Sequence, residues 1–555
     1  MVNIERKEGL ARICKIEVDN ITYETPLLLD FLDGKDSLKR FIKNIDFGKI
    51  PSVIERFPAL YNSKFSVLKP VNDNIEVLTG FSALDPKDLA EILINIRVNN
   101  INKLIYIPAI ATPKNALFLI NLGVDILDNI IPIIKGYSGF YMLPTCEFKL
   151  DSMKELPCCC EVCSSYSVKD LINLDYAERS LALARHNTIM LESQIKLAKE
   201  LIKEENLRNS LDGLSRLDPF NSVILRIYDE SDATKKYYPR FKKSKVILFK
   251  DSYSRPEVKV FFERALEVYS PKTKALLILP CTATKPYLIS KTHRKIREFV
   301  KISINEIIIS SPLVVPRELE LIYPAINYDV PVTGIWDEDE IRFVGTKLWQ
   351  FIRKGNFEKI IAHVESGYKK VVEYASKIGG FDVIYTAEGG ILSKQSLERL
   401  KREIEKYNDP NFDLRRNLIE HMIEYQFYIK IDLNDNYHEI SGKYPELKVF
   451  VEKNGKKEMF LRIDTNYGML DIYKEFAKIL YNKKKFTVLI DEFDPKGTIF
   501  SKGVIKANEN IKQNDLVVFF NSFLIGVGRA LISGNEMNKK VDGFAIKVKR
   551  KWSIN

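Results

Sequence analysis

The chain has 555 residues, 45% of them hydrophobic and 29% charged, the balance of a multidomain globular protein. Lys and Arg number 85 against 74 Asp and Glu, leaving +11, a bias toward a polyanionic partner that a Lys-rich solvated surface also explains. No apolar run reaches the roughly 18 residues of a membrane span, and MVNIERKEGLARICK holds no signal-peptide core, so a cytoplasmic protein is expected.

Residues 1–207 alternate short apolar runs with helical stretches. LIYIPAI (104–110) reads as a strand. NALFLINLGVDILDN (115–129) reads as a helix running into a strand, with Asp125 and Asp128 near its end. That alternation predicts α/β structure and a TIM-like (β/α) barrel. A long amphipathic helix, 176–207, closes the region. The polar stretch around 208–243 reads as a connector opening a second region, 208–409. There KVILF, ALLILP, EIIISSP and FDVIYTA read as strands of a central α/β sheet. Residues 410–482 mix one helix with strands as a small α+β spacer, and Asn454-Gly455 signals a hairpin. Residues 483–555 carry short strands and glycine turns and read as a small β-barrel.

Four of the seven cysteines fall in PCCCEVC. Such crowding suits a metal site better than a disulfide framework. Cys158, Cys160 and Cys163 have C-x-C-x-x-C spacing, and His186 follows on the long helix. Three thiolates and one imidazole make a closed tetrahedral zinc set with no open position, so the expected metal is structural. Cys159 should point away. The alternative is a set of buried cysteines without metal.

These residues resemble the zinc site of the archaeal tRNA-guanine transglycosylases, and ATPKNALFLINLGVDILDN is similar to that family's segment before its nucleophilic aspartate, with Asp128 in the matching position. The resemblance implies a TIM-like barrel handling a 7-deazaguanine base in tRNA. The chain departs from it in ETPLLLDFLDGKDSLKRF (24–41), which lacks the family's D-S-G-x-x-Q type loop. The stretch DPKGTIFSKGVIKANENIKQNDLVVFFNSFLIGVGRALISGNEM (494–537) resembles a PUA domain, which implies binding of structured RNA. Candidate contacts are the turn Ser501, Lys502 and Gly503 and the terminal basic residues Lys547, Lys549, Arg550 and Lys551. Lysines spaced by two share one face of a strand and can form a phosphate-contacting stripe. They could equally guard a solvated edge strand.

The run LPCTATKPYLISKTH (279–293) concentrates reactive groups just past an apolar strand. Its Pro280-Cys281, Lys285-Pro286-Tyr287, Ser290 and His293 resemble the signature of the archaeosine synthase family, and so do residues 310–336 and HVESGY (363–368). That resemblance implies a substrate, tRNA bearing 7-cyano-7-deazaguanine (preQ0) at nucleotide 15 of the D-arm. It also implies that the nitrile is converted to an amidine or a lysine adduct. Cys281 is then the nucleophile, adding to the nitrile carbon to give a thioimidate that an amine displaces. Lys285 would hold the thiolate. His293, Tyr287 or Ser290 would protonate the nitrogen, or Tyr287 would stack on the base. The donor would be lysine, ammonia or glutamine. The same residues have plainer readings: Cys281 as a core residue, Lys285 at the surface, Ser290 as an N-cap. No G-x4-G-K-[ST] loop occurs, and no nucleotide cofactor is expected. Competing functions are transglycosylation and a non-catalytic tRNA-binding subunit. A homodimer is an assembly the resemblance allows.

Overall fold

The computed structural model describes residues 2–18, 20–32, 66–68, 75–81, 84–249, 251–332, 334–433, 438–453 and 455–554. The chain divides into two compact units. The first comprises Met1–Pro239, Pro495–Gln513 and Ala530–Lys547, and the second comprises Arg240–Asp494, Asn514–Arg529 and Val548–Asn555. Part of the stretch 24–41, and Asn454 of the expected hairpin, lie outside the described residues.

The first unit opens with an antiparallel sheet of Val2–Glu8, Ala11–Val18 and Ile21–Glu24, not with the α/β alternation expected from residue 1. A second sheet comes next, in which Leu27–Leu29, Ile126–Asp128, Leu104–Tyr106 and Ile75–Thr79 run parallel and Ser66–Leu68 pairs antiparallel at the edge. The strand expected over 104–110 is therefore confined to Leu104–Tyr106. The helix-to-strand segment forms as read, with a helix over Ala116–Asn121 before the strand Ile126–Asp128. Asp125 lies just before that strand. It is buried and ion-paired to Arg12 (2.8 Å) and Arg97 (2.5 Å). The long helix spans Tyr176–Lys203, capped by the Asp175 side chain.

The connector reading of 208–243 is wrong. Helices Leu207–Leu214, Pro219–Glu230 and Asp232–Tyr237 occupy most of it. Some of its polar residues serve the fold: Asp218 caps the second helix, and Arg208, 2% exposed, is paired at 2.5 Å with Asp229. A buried ion pair looks like a solvated loop when only composition is read.

The second unit is built on the strand Ala275–Pro280, which pairs in parallel with Asn305–Ile309 on one side and Lys359–Ala362 on the other. Ile384–Tyr385 extends the sheet in parallel, and Val314–Pro316 turns back antiparallel. Every residue of Ala275–Pro280 is buried, which is why it reads as an uninterrupted apolar run. Ala275, Leu277 and Leu279 pack with Ile296, Val300, Leu397 and Leu400. KVILF contributes only Val246–Ile247, paired with Tyr328–Asp329 outside this sheet. Beyond it come a helix, Leu414–Phe427, and a four-stranded antiparallel sheet ending at Met469–Ile472. Its strands Lys448–Lys453 and Lys456–Asp464 form the hairpin, with Gly455 at φ +69.

Candidate active site and metal centre

Cys281 is the first residue past Ala275–Pro280, and its amide donates to the Ile309 carbonyl at 2.9 Å. Parallel strands deliver their carboxyl ends to one edge of a sheet, where functional groups collect. The neighbouring strand, Lys359–Ala362, leads through a tight turn with Ser366 at φ +51 into the helix Ser366–Gly379. That turn brings the Tyr368 hydroxyl to 3.2 Å from the Cys281 sulfur. The thiol is only partly buried. Trp336 stands edge-on to the Tyr368 ring, with centroids 5.1 Å apart. Gly367 leaves the room: a Cβ there would meet Trp336 Cδ1 at 2.0 Å.

Lys285 returns toward the thiol, its ammonium 4.2 Å from the centroid of the Tyr328 ring. Burial pulls its pKa below the ordinary lysine value, against the attraction of a Cys281 thiolate. Tyr287 is wholly buried. Its hydroxyl bonds to that of Tyr328, which donates to Ser310 Oγ at 2.6 Å. The expectation that Tyr287 stacks on a base fails, because its ring offers no open face. Ser290, 3% exposed, caps the helix Lys291–Phe299 by accepting from the His293 amide, so it takes its N-cap role and not that of a proton donor to substrate.

His293 also departs from expectation. It is 1% exposed and both ring nitrogens are engaged. Arg317 Nη2 lies 2.8 Å from Nδ1, and Nε2 lies 3.0 Å from the Pro280 carbonyl. A guanidinium only donates and a carbonyl only accepts, so Nδ1 accepts and Nε2–H donates. Burial, reinforced by Arg317, pushes the pKa down to about 3. The ring is neutral and has no proton to give the substrate. Arg317 is paired in turn with Glu306 and with Glu320 (2.7 Å), both buried. Arg297 also reaches Glu306 at 2.7 Å.

Tyr368, Trp336, Tyr328 and Arg317 escaped the residue-by-residue reading. A signal existed for Arg317: charges at 317, 318 and 320 interrupt a strongly apolar run, which marks a buried, paired cluster. Tyr368 closes HVESGY, but nothing in that resemblance joins it to Cys281, because the strand before its helix pairs with Ala275–Pro280 only in the tertiary fold.

In the first unit the ligand atoms of Cys158, Cys160, Cys163 and His186 lie within 4.8 Å of one another. His186 Nδ1 is 3.4 Å from the sulfurs of Cys160 and Cys163. Its Nε2 donates to the Met142 carbonyl at 3.0 Å, which fixes the tautomer with Nδ1 free to ligate. The ring stacks on Tyr141 at 3.8 Å. Burial and the neighbouring sulfurs push the Cys163 thiol up to about 12, the repulsion a bound cation would relieve. The donor set therefore fits a metal ion, and Cys159 is exposed and outside it.

Asp128 is turned inward and hydrogen-bonded through both oxygens. It is 0% exposed; Oδ2 accepts from the Tyr106 hydroxyl (2.8 Å) and the Ala109 amide (2.9 Å), and Oδ1 from the Ile130 amide (3.1 Å). Burial raises its pKa to about 6 despite these donors.

The expected RNA contacts are only partly presented. Ser501 is fully buried within the turn Ser501–Gly503, and Lys502 is exposed and paired with Asp542 at 2.9 Å. Lys547 is exposed. The lysine stripe is broken in the second unit: Lys549 (2.8 Å) and Arg550 (2.7 Å) neutralise Asp471, which is fully buried and needs the counterions. Lys551 pairs with Asp494.

The Queuine tRNA-ribosyltransferase family model matches residues 72–216 and a domain of unknown function (DUF5591) matches 258–404, the stretch containing Cys281 and Tyr368. A pre-PUA domain matches 412–481 and a PUA domain 495–552. The chain is thus an α/β multidomain protein with a TIM-barrel-like transglycosylase domain and a C-terminal PUA domain. It is 35% identical to the archaeosine synthase subunit alpha of Methanosarcina acetivorans, over 80% of this chain and 74% of that protein. It is 29% identical to the archaeosine synthase of Haloferax volcanii, over 79% and 75%. A tRNA-guanine(15) transglycosylase of Methanosphaera stadtmanae is 27% identical over 78% and 64%. Among the described residues no helix is long and apolar enough to cross a membrane.

Proposed function

The chain belongs to the archaeosine synthase family, and on that footing we propose that it adds an amine to the nitrile of 7-cyano-7-deazaguanine (preQ0) at nucleotide 15 of tRNA. The observation that carries this reading is the partly buried thiol of Cys281 with the Tyr368 hydroxyl 3.2 Å away and Lys285 beside it. The thiolate adds to the nitrile carbon, and the nitrogen takes a proton, giving a thioimidate. A free amine then adds to that carbon. Collapse expels the thiol and leaves an amidine: archaeosine when the amine is ammonia, the lysine adduct when it is lysine. No oxidant and no nucleotide is consumed.

Tyr368 is the proton donor to the nitrile nitrogen, taking the place His293, Tyr287 and Ser290 cannot fill. Lys285 holds the thiolate by charge. The Cys158, Cys160, Cys163 and His186 set holds Zn2+ as a structural ion, pinning the long helix to the chain before it. The RNA is held by the PUA domain, with Lys502 and Lys547 as exposed cations of the first unit. Asp128, sealed by its three hydrogen bonds, argues against base exchange in the first unit.

Purified protein is incubated with nitrile-bearing tRNA and lysine, ammonia or glutamine, and the nucleoside is weighed. A mass gain equal to one free amine, absent in Cys281→Ala, is expected. Equal product from Cys281→Ala removes the thiol mechanism. Equal product from glutamine in ammonia-free buffer removes the free-amine donor.

A further inference from the structure

The peptide between Pro280 and Cys281 is held at both ends. Its N–H donates to the Ile309 carbonyl at 2.9 Å, and its C=O accepts from His293 Nε2 at 3.0 Å. His293 cannot turn away, because Arg317 Nη2 donates to its other nitrogen. Arg317 is 1% exposed and cannot turn either, since Glu306 and Glu320 grip its remaining nitrogens. Glu320 accepts in addition from the Tyr444 hydroxyl, in the segment that matches the pre-PUA domain. Two arginines, 297 and 317, face the carboxylates of Glu306 and Glu320. Every atom in this path has one possible donor–acceptor sense, because the guanidinium at its centre has no acceptor. A helix cap alone would need only the Ser290 hydroxyl and the His293 amide, which leaves the buried guanidinium and its carboxylates unexplained.

We infer that Arg317 and His293 are positioning residues which lock the Pro280–Cys281 peptide plane and so aim the Cys281 sulfur at Tyr368 and the substrate. The inference rests on the reading of Cys281 as nucleophile. If the carbonyl loses its donor, the plane can rotate about the bonds flanking it, and the sulfur leaves its line of attack. A misplacement of about 1 Å at a reacting atom costs on the order of a hundredfold in rate.

The test compares His293→Leu, which removes the donor, with His293→Gln, which restores an N–H to the carbonyl and an oxygen to Arg317. Three readouts are taken on the full chain: kcat and KM on nitrile-bearing tRNA, the iodoacetamide labelling rate of Cys281 mapped by peptide mass, and the melting temperature. The expected result for His293→Leu is kcat down about 10- to 100-fold with KM for tRNA within about twofold. Its Cys281 labelling should change at least threefold, while His293→Gln restores both kcat and labelling to within about threefold of wild type. The inference is overturned if Gln and Leu are equally inactive with wild-type labelling, because His293 would then be a chemical participant. It is overturned too if both variants melt lower yet keep kcat and labelling, a purely structural role. Cys281→Ala separates the two layers. Full activity there refutes the nucleophile reading, whereas the labelling comparison reports on the lock without any nitrile present.

Discussion

Replacing Tyr368 with Phe removes one oxygen from the site and little else. The ring stays against Trp336, and the strand and helix that carry it are untouched. The hydroxyl lies 3.2 Å from the Cys281 sulfur, and in the proposed step it protonates the nitrile nitrogen. A single donor aimed at developing negative charge is worth roughly 100- to 1,000-fold in kcat. Lys285 remains nearby as a second source of positive potential, so the lower end applies: about 100-fold, or about 2.7 kcal/mol on the barrier. KM for tRNA should stay within about twofold, because negative charge develops on the nitrile nitrogen only as the bond to sulfur forms. Global stability should fall by no more than about 1 kcal/mol, the worth of one modest hydrogen bond. Single-turnover conversion of nitrile-bearing tRNA, followed by nucleoside mass, measures the rate, and urea melts measure the stability. A variant that converts tRNA at the wild-type rate, or that loses activity only through KM, would refute the assignment of Tyr368 as proton donor.

Gly367→Ala forces a methyl into Trp336, so a loss of about 1–3 kcal/mol in urea melts is expected, together with reduced turnover as Trp336 is pushed off Tyr368. Cys160→Ser should leave the protein with less than one equivalent of tightly held zinc by elemental analysis and lower its melting temperature, whereas Cys159→Ser should match wild type in both; a chelator should reproduce the Cys160→Ser melt. Asp471, held near pKa 2 against burial by Arg550 and Lys549, has a folded pKa below its unfolded value. Its contribution is therefore complete above about pH 4 and lost as pH falls toward 2. Asp471→Asn should flatten that acid limb by about 2–3 kcal/mol in pH-dependent chemical denaturation, and an unchanged limb would contradict the pairing.

Much of this protein could be read from its residues because the informative signals are local. The strand Ala275–Pro280 declares itself by a run of apolar side chains buried on both faces, and Cys281 follows it directly. The four metal-site residues converge because three are held by a short spacing and the fourth lies on a helix whose capping Asp175 and apolar period are visible in the chain. Polar side chains were the harder case. Arg208, Arg317, Lys549 and Arg550 all look like surface cations when met one at a time, and each instead answers a buried carboxylate far away in sequence or on another element. His293 looked like a catalytic acid until Arg317 and the Pro280 carbonyl took both its nitrogens. Tyr368 could not be paired with Cys281 from order alone, since 87 residues separate them and only the register of two parallel strands brings them side by side. Periodicity and spacing are properties of neighbours along the chain, so they specify elements and local ligand sets. The charge state and aim of a buried polar group depend on which partners the fold carries to it, and those belong to the tertiary structure.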